Sequence, residues 1–216
     1  MGSMTATTTE QLIGSLARDL APVRPLAPPV LRALGWLAVV AVLITGAVLR
    51  WADLAAFAVR YSAPRMAIES AAMLLTGLTA VLAAFHLSVP DRSSLWRYAP
   101  LPPLVLWVAT SGLGCLQFGL GLGPAGDRLG ESTHCFAFIL AVSVPLTVLL
   151  YAVLRRARPL EPLPVALTAA LGVAACAAFA LQFFHHFDTT LIDLAAHAAA
   201  VGAVITIAAL SRKALA

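Results

Sequence analysis

The stretch Val30–Leu49 reads VLRALGWLAVVAVLITGAVL, twenty residues with a single charge. Five further apolar stretches of similar length follow it, at Ala63–Val89, Pro100–Leu120, Thr133–Leu154, Leu163–Phe184 and Thr190–Leu210. A helix needs about 20 mainly apolar residues to cross the ~30 Å hydrocarbon core of a bilayer. The sequence therefore predicts an all-α, polytopic membrane protein with six transmembrane helices.

The composition favours the same fold class. Hydrophobic residues make up 61% of the chain and charged residues 11%, whereas a soluble domain carries about 25% charged residues. One transmembrane domain over residues 30–210 is expected, between a polar N-terminal tail (1–29) and a short C-terminus (211–216). Residues 1–3 are typical of a cloning remnant, and the tail lacks the basic and apolar regions of a signal peptide.

Lysine and arginine in the loops predict the orientation, because cytoplasmic loops are enriched in them. With six spans, the tail, the second and fourth loops and the C-terminus share one side of the membrane. That side carries ten of these residues, against four on the other side. We therefore expect both termini in the cytoplasm. The basic residues form no continuous stripe, so direct binding of nucleic acid is not expected.

The tail contains one amphipathic segment, over residues 10–21, and we expect it to form a short helix. Its apolar residues recur with helical spacing: Leu12, Ile13, Leu16 and Leu20. A threonine at positions 7–9 can cap this helix, and four prolines between positions 22 and 29 favour a stiff, extended connection to the bilayer. Such a helix could lie on the membrane surface, pack on the cytoplasmic loops, or bind a partner.

Residue types that bind metals gather on the side of the membrane opposite the tail. They are Glu131, His134, Cys135, His185, His186, Asp188, Asp193 and His197. Thiolate and imidazole together suit zinc or copper, and Asp193 lies four residues before His197, on the same helical face. His197 lies about 10 Å inside the sixth span, a depth at which an ionisable residue is a functional candidate.

Three interpretations of this group are open: a sensor of metal or oxidant, ordinary interfacial polar residues, or a role in transport or catalysis. No paired C-x-x-C motif fixes a metal site. The sequence also has no nucleophile elbow, phosphate-binding glycine loop or HExxH motif, so we do not expect an enzyme. The middles of the spans are almost wholly apolar, which argues against a transporter. A small metal-ion or proton transporter is the alternative function.

Other polar residues in the spans are interpreted as structural. Arg65 and Glu69 have the i, i+4 spacing of an ion pair within one helix. Cys115 and Cys176 fall near the middle of their spans, where cysteine behaves as a small apolar residue. His86 is expected at the membrane interface.

The segment at residues 12–26, LIGSLARDLAPVRPL, resembles the opening of the NrsF family. Further similarity lies at Gly130-Glu131-Ser132, before Cys135, and at residues 155–159, which read RRARP. The resemblance implies a six-span protein of the bacterial inner membrane that negatively regulates an extracytoplasmic-function (ECF) sigma factor. It further implies that the cytoplasmic tail holds the sigma factor while a periplasmic sensor controls release. From the apolar face of the tail segment, we expect the sigma factor to contact Leu12, Ile13, Leu16 and Leu20, together with Arg24.

The chain departs from this family at one position. The family typically has a second cysteine at the end of the fifth span, and by its spacing to Asp188 that position is His185 here. A disulfide switch is therefore not expected. We predict instead a regulatory zinc or copper ion on Cys135 with His185 or His186, and His134 and Glu131 as reserve ligands. No cofactor is required, and the sequence leaves the oligomeric state open.

Overall fold

The computed structural model describes residues 8–18, 20, 25–118, 126–184 and 191–215. Within these ranges, only the backbone is described for residues 60, 114–118, 126–132 and 191–193. The described chain is helical, with three short 3₁₀ turns at Ser94–Tyr98, Arg155–Ala157 and Ser211–Leu215. Its α-helices are α1 (Thr9–Arg18), α2 (Pro29–Trp51), α3 (Leu54–Tyr61), α4 (Pro64–Leu87), α5 (Leu101–Phe118), α6 (Gly126–Leu154), α7 (Pro162–Leu181) and α8 (Leu191–Leu210).

Five segments within the described ranges are long and apolar enough to cross a membrane: Pro29–Trp51, Pro64–Leu87, Thr133–Ala157, Pro162–Leu181 and Leu194–Leu215. Each coincides with one of the predicted spans. The remaining prediction, Pro100–Leu120, corresponds to α5, whose side chains are described only as far as Leu113. The membrane character of the protein is thus confirmed for five helices, and the sixth span stays a prediction.

Helices α4 and α7 pack against each other at the centre of the bundle. In the apolar stretch of α7 that could span a membrane, 72% of the residues are buried, against 17% in the corresponding stretch of α2. Two glycines allow the close approach, as small residues do in membrane helices. A Cβ atom added at Gly172 would lie 2.7 Å from Val81 Cγ2, and one at Gly77 would lie 2.9 Å from Cys176 Sγ. Cys176 is therefore a packing residue, as the sequence indicated.

Contacts between helices define two ends of the bundle. At the tail end, Arg32 near the start of α2 bonds Val153 near the end of α6, and Tyr151 of α6 donates to the Ala208 carbonyl near the end of α8. This end also carries the connection from α4 to α5, the connection from α6 to α7, and the C-terminal 3₁₀ turn. The far end carries α3, the starts of α4, α6 and α8, and the last turns of α5 and α7. Pro145 lies inside α6, where it removes one backbone hydrogen bond.

Two features at the far end differ from the expected boundaries. The first is α3, which lies in a segment expected to be a loop. Asp53 Oδ1 accepts hydrogen bonds from the Ala55 and Ala56 amides, both at 3.0 Å, and the Phe57 ring stacks on Phe183 with 4.6 Å between centroids. The second is α6, which begins at Gly126, seven residues before the predicted span. The seven added residues, 126–132, are mostly polar. They can still be helical, because the backbone hydrogen bonds of a helix form in water as well as in lipid.

An arginine joins three helices at the tail end. Arg32 Nη2, in the first turns of α2, donates a 2.9 Å hydrogen bond to the Val153 carbonyl near the end of α6. Its guanidinium lies over the Phe85 ring of α4, 5.2 Å from the centroid. Nearby, the His86 ring in the last turn of α4 is buried and stacks on Trp96, with 4.0 Å between the ring centroids. The start of α2 is therefore fixed to the inner part of the bundle.

Candidate functional sites: the tail helix and a polar cavity

Helix α1 begins with a reciprocal cap. The Gln11 amide donates to Thr8 Oγ1 at 3.4 Å, and the Thr8 amide donates to Gln11 Oε1 at 3.2 Å. This arrangement satisfies backbone N–H groups that the first helical turn would otherwise leave unbonded. The predicted threonine cap is therefore Thr8. The helix ends at Arg18, three residues earlier than predicted, since the ring of Pro22 is incompatible with a helical carbonyl four residues before it.

The apolar face of α1 is exposed. Leu12, Ile13, Leu16 and Leu20 are between 52% and 77% exposed, and Leu20 lies beyond the helix end. No residue of α1 is buried. Leu12, Ile13 and Leu16 thus form an exposed apolar face on α1, which is typical of an interaction site. Arg24, the fifth predicted contact, lies outside the described residues.

At the far end, Cys135 and His134 point in different directions. Cys135 is 4% exposed and packs among Ile139, Ala177, Leu181 and Ala200. His134 is exposed, as expected for the neighbouring position on a helix, about 100° around the axis. The cysteine therefore lies where α6, α7 and α8 meet, in apolar surroundings.

The remaining predicted ligands cannot be placed around it. His185, His186 and Asp188 fall outside the described residues, as do the side chains of Glu131 and Asp193. Among the residues that are described, no group of three His, Cys, Asp or Glu side chains could hold a metal ion. The donor set for zinc or copper is thus incomplete in this part of the chain, and the metal site stays a prediction.

His197 lies in a different setting, on the wall of a cavity of about 350 Å³. The cavity is bounded by α4, α5, α8 and the end of α7. Its polar lining residues are Glu69, Ser111, Gln182 and His197, and its apolar wall includes Trp107. Glu69 and His197 are each about 8–9 Å from the start of their helices. Both helices start at the far end, so the two residues lie at a similar distance from that end of the bundle.

Glu69 is the buried centre of this polar group. Its side chain is 1% exposed, and Oε2 lies 3.2 Å from Arg65 Nη1. Ser111 Oγ donates a 2.7 Å hydrogen bond to Oε1. The predicted ion pair is therefore confirmed, and a serine 42 residues away completes it. A buried carboxylate is retained where a cation and hydrogen-bond donors satisfy it.

Sequence reasoning missed that these residues surround one cavity. The spacing of Arg65 and Glu69 predicts only an ion pair within one helix. Ser111 gives no signal, because a serine in an apolar helix usually bonds to its own backbone. The ionisable Glu69 within a span was the available signal. The structure thus adds Glu69, Ser111 and Gln182 to the surroundings of His197, while its predicted partner Asp193 has a side chain outside the described residues.

The family model for NrsF, described as negative regulator of sigma F, matches residues 16–216. The chain belongs to the NrsF family. The match covers nearly the whole chain, from the last turn of α1 to residue 216, and confirms the resemblance found in the sequence. No curated protein and no solved structure matches the chain. Membership of NrsF gives this membrane protein a sigma factor as its partner.

Proposed function

We propose that this NrsF-family protein is an anti-sigma factor of the bacterial inner membrane, with six spans and both termini in the cytoplasm. It acts by binding and not by catalysis. The tail helix α1 holds an ECF sigma factor at the membrane, and a signal at the far end, facing the periplasm, releases it. The observation that carries this proposal is the exposed apolar face of α1 on a chain that is otherwise a membrane bundle.

The face has the geometry of helix-in-groove recognition, in which apolar side chains at i and i+4, here Leu12 and Leu16, enter a groove of the partner. Leu20 follows just beyond the helix end. Fully burying a leucine contributes about 1.5–3 kcal/mol. Since Leu16 is 60% exposed, its burial by a partner contributes about 1–2 kcal/mol on the same scale. Losing both Leu16 and Leu20 should weaken sigma binding by about 100-fold, at 1.4 kcal/mol per tenfold.

The signal is proposed to be a soft metal ion or an oxidant acting at Cys135. Cys135 lies at the contact of α6, α7 and α8, so chemistry on its sulfur would change their packing. One physical route to the tail follows α6 itself, because the Val153 carbonyl near its other end accepts a hydrogen bond from Arg32 of α2. Helix α2 continues directly into the tail.

The test introduces one charge on each of two neighbouring faces of α1. Leu16→Asp should abolish co-purification of the sigma factor and derepress its target genes, while insertion into the membrane is unchanged. Ser15→Asp adds the same charge one residue away, at a side chain that bonds only its own helix at the Leu12 carbonyl, and should retain binding. Repression that survives deletion of residues 8–20 would contradict the tail as the binding element.

The alternative function is transport of metal ions or protons. The cavity lined by Glu69 and His197 favours it, because ionisable residues inside a span often mark ion pathways. Purified protein in liposomes distinguishes the two functions: a transporter produces a flux of zinc or protons that depends on Glu69, whereas an anti-sigma factor produces none and binds sigma in the same preparation.

A further inference from the structure

We propose that the cavity between α4, α5, α7 and α8 binds a small, uncharged, membrane-soluble molecule with a hydroxyl head, of the phenol or alcohol class. Binding at this site does not depend on the sigma-factor partner.

The first argument is the volume. Small-molecule sites begin at about 300 Å³, and the volume of about 350 Å³ here matches a compact ligand. The cavity opens to the surface between α5 and α8, where its lining residues Val108 and Ala198 are exposed. A membrane-soluble molecule could therefore enter it from the bilayer.

The second argument is the chemistry of the wall. Most of the lining is apolar, with Trp107, Leu104 and Val201 among its residues. The polar residues are few and grouped, as in sites that orient a ligand by one head group. A ligand with an apolar body against Trp107 and a polar head at Gln182 and His197 would match both parts of the wall.

The third argument is charge. Arg65 and Glu69 compensate each other at 3.2 Å, so the cavity presents no net charge from this pair. A charged ligand would leave its own charge uncompensated in a low-dielectric environment. A hydroxyl carries no charge, and it can form a hydrogen bond with the half-buried side chains of Gln182 or His197. Glu69 itself is 1% exposed and holds its bonds from Arg65 and Ser111.

The position of the cavity connects it to the sensor region. Leu181 lines the cavity and also packs in the cluster around Cys135. A bound molecule would press on the side chain that covers the cysteine. Occupancy should therefore change how fast a thiol reagent reaches Cys135, and this supplies a second readout beside binding.

The experiment uses the full chain in lipid nanodiscs with 4-bromophenol as the probe. Bromine quenches indole fluorescence on contact, so Trp107 is made the sole tryptophan by Phe replacements at positions 36, 51 and 96. Saturable quenching is expected with 4-bromophenol, and weaker or unsaturated quenching with 4-bromotoluene, which has a matching body but no hydroxyl. Equilibrium dialysis of the unmodified protein against empty nanodiscs gives the same comparison without any substitution.

Two pairs of variants locate the site. Gln182→Leu removes a half-buried amide from the polar part of the wall and should weaken the probe about fivefold, the effect of one hydrogen bond, while Gln11→Leu makes the same change in the tail helix and should have no effect. Ala198→Trp fills the cavity and should abolish binding, while Ala199→Trp places the same ring at the neighbouring exposed position. Quenching that rises linearly and equally in all variants would show partition into lipid alone and overturn the proposal. Equal affinity for the two probes would overturn the hydroxyl head.

Discussion

Gly172 is the closest point of the crossing between α4 and α7, and Gly172→Ala should destabilise the bundle. The added Cβ would lie 2.7 Å from Val81 Cγ2, 3.0 Å from the Val81 amide nitrogen and 3.4 Å from Ala80 Cβ. The nitrogen belongs to the helix backbone, and a valine in a helix has one strongly preferred rotamer. Neither atom can move aside locally, so the two helices must separate.

Two opposing effects determine how much Gly172→Ala changes the free energy of unfolding. Overpacking a core costs about 1–3 kcal/mol, and replacing glycine by alanine in a helix gains about 1 kcal/mol. Gly46→Ala in α2 is the matched control, because an added Cβ there meets no atom within 4 Å. The helix-propensity gain is common to both variants. The difference between their free energies of unfolding should therefore be the steric cost alone, about 1–3 kcal/mol with Gly172→Ala the less stable.

The assay is unfolding of the purified protein by SDS in mixed micelles, followed by far-UV circular dichroism. A second crossing point gives an internal check, because Gly77→Ala brings Cβ to 2.9 Å from Cys176 Sγ. Its cost should fall when Cys176→Ala is added, since that removes the opposing atom. Equal stability of Gly172→Ala and Gly46→Ala would refute the close crossing, as would the absence of rescue at Gly77.

Three further predictions concern signalling and orientation. Arg32→Ala removes the bond to the Val153 carbonyl and should raise basal expression of the sigma-dependent genes with unchanged protein level; unchanged repression would exclude this contact from the route. Zinc or copper titration should show weaker binding in Cys135→Ser and His185→Ala, and affinity should fall as pH drops through about 6.5, because the ligands must be deprotonated; wild-type affinity in both variants would remove the metal site. In a cysteine-free background, Thr189→Cys should react with an impermeant thiol reagent in whole cells and Glu161→Cys only after permeabilisation; the reverse pattern would invert the topology.

The spans could be predicted because the bilayer imposes one length on every helix that crosses it. The ends of the helices could not be predicted, because hydropathy detects lipid contact and not backbone hydrogen bonding. The first turns of α6 are polar and yet helical. Helix α3 has eight residues, which is too short for a membrane span. The tail helix followed from its apolar spacing and its threonine cap. These signals are local, so they can be interpreted without knowing which elements pack against the tail.

The polar cavity could not be predicted for a different reason. The bond between Ser111 and Glu69 joins residues 42 positions apart, and the approach of His197 to the same cavity depends on how α8 packs. The orientation of Cys135 toward the core likewise depends on the rotation of α6, which an almost uniformly apolar helix does not reveal. Contacts set by packing of similar apolar surfaces leave little trace in a single sequence.

The short connection between α1 and α2 limits where a captured protein can be. Helix α1 ends at Arg18 and α2 begins at Pro29, so ten residues join them, and at 3.3–3.6 Å per residue their reach is at most about 35 Å. A protein bound to α1 therefore stays within about one domain diameter of the membrane. Tethers of this length create local concentrations in the millimolar range. Even a weak second contact with the arginine-bearing loops at the tail end would then be occupied most of the time, and retention at the membrane would exceed what the affinity of α1 alone implies.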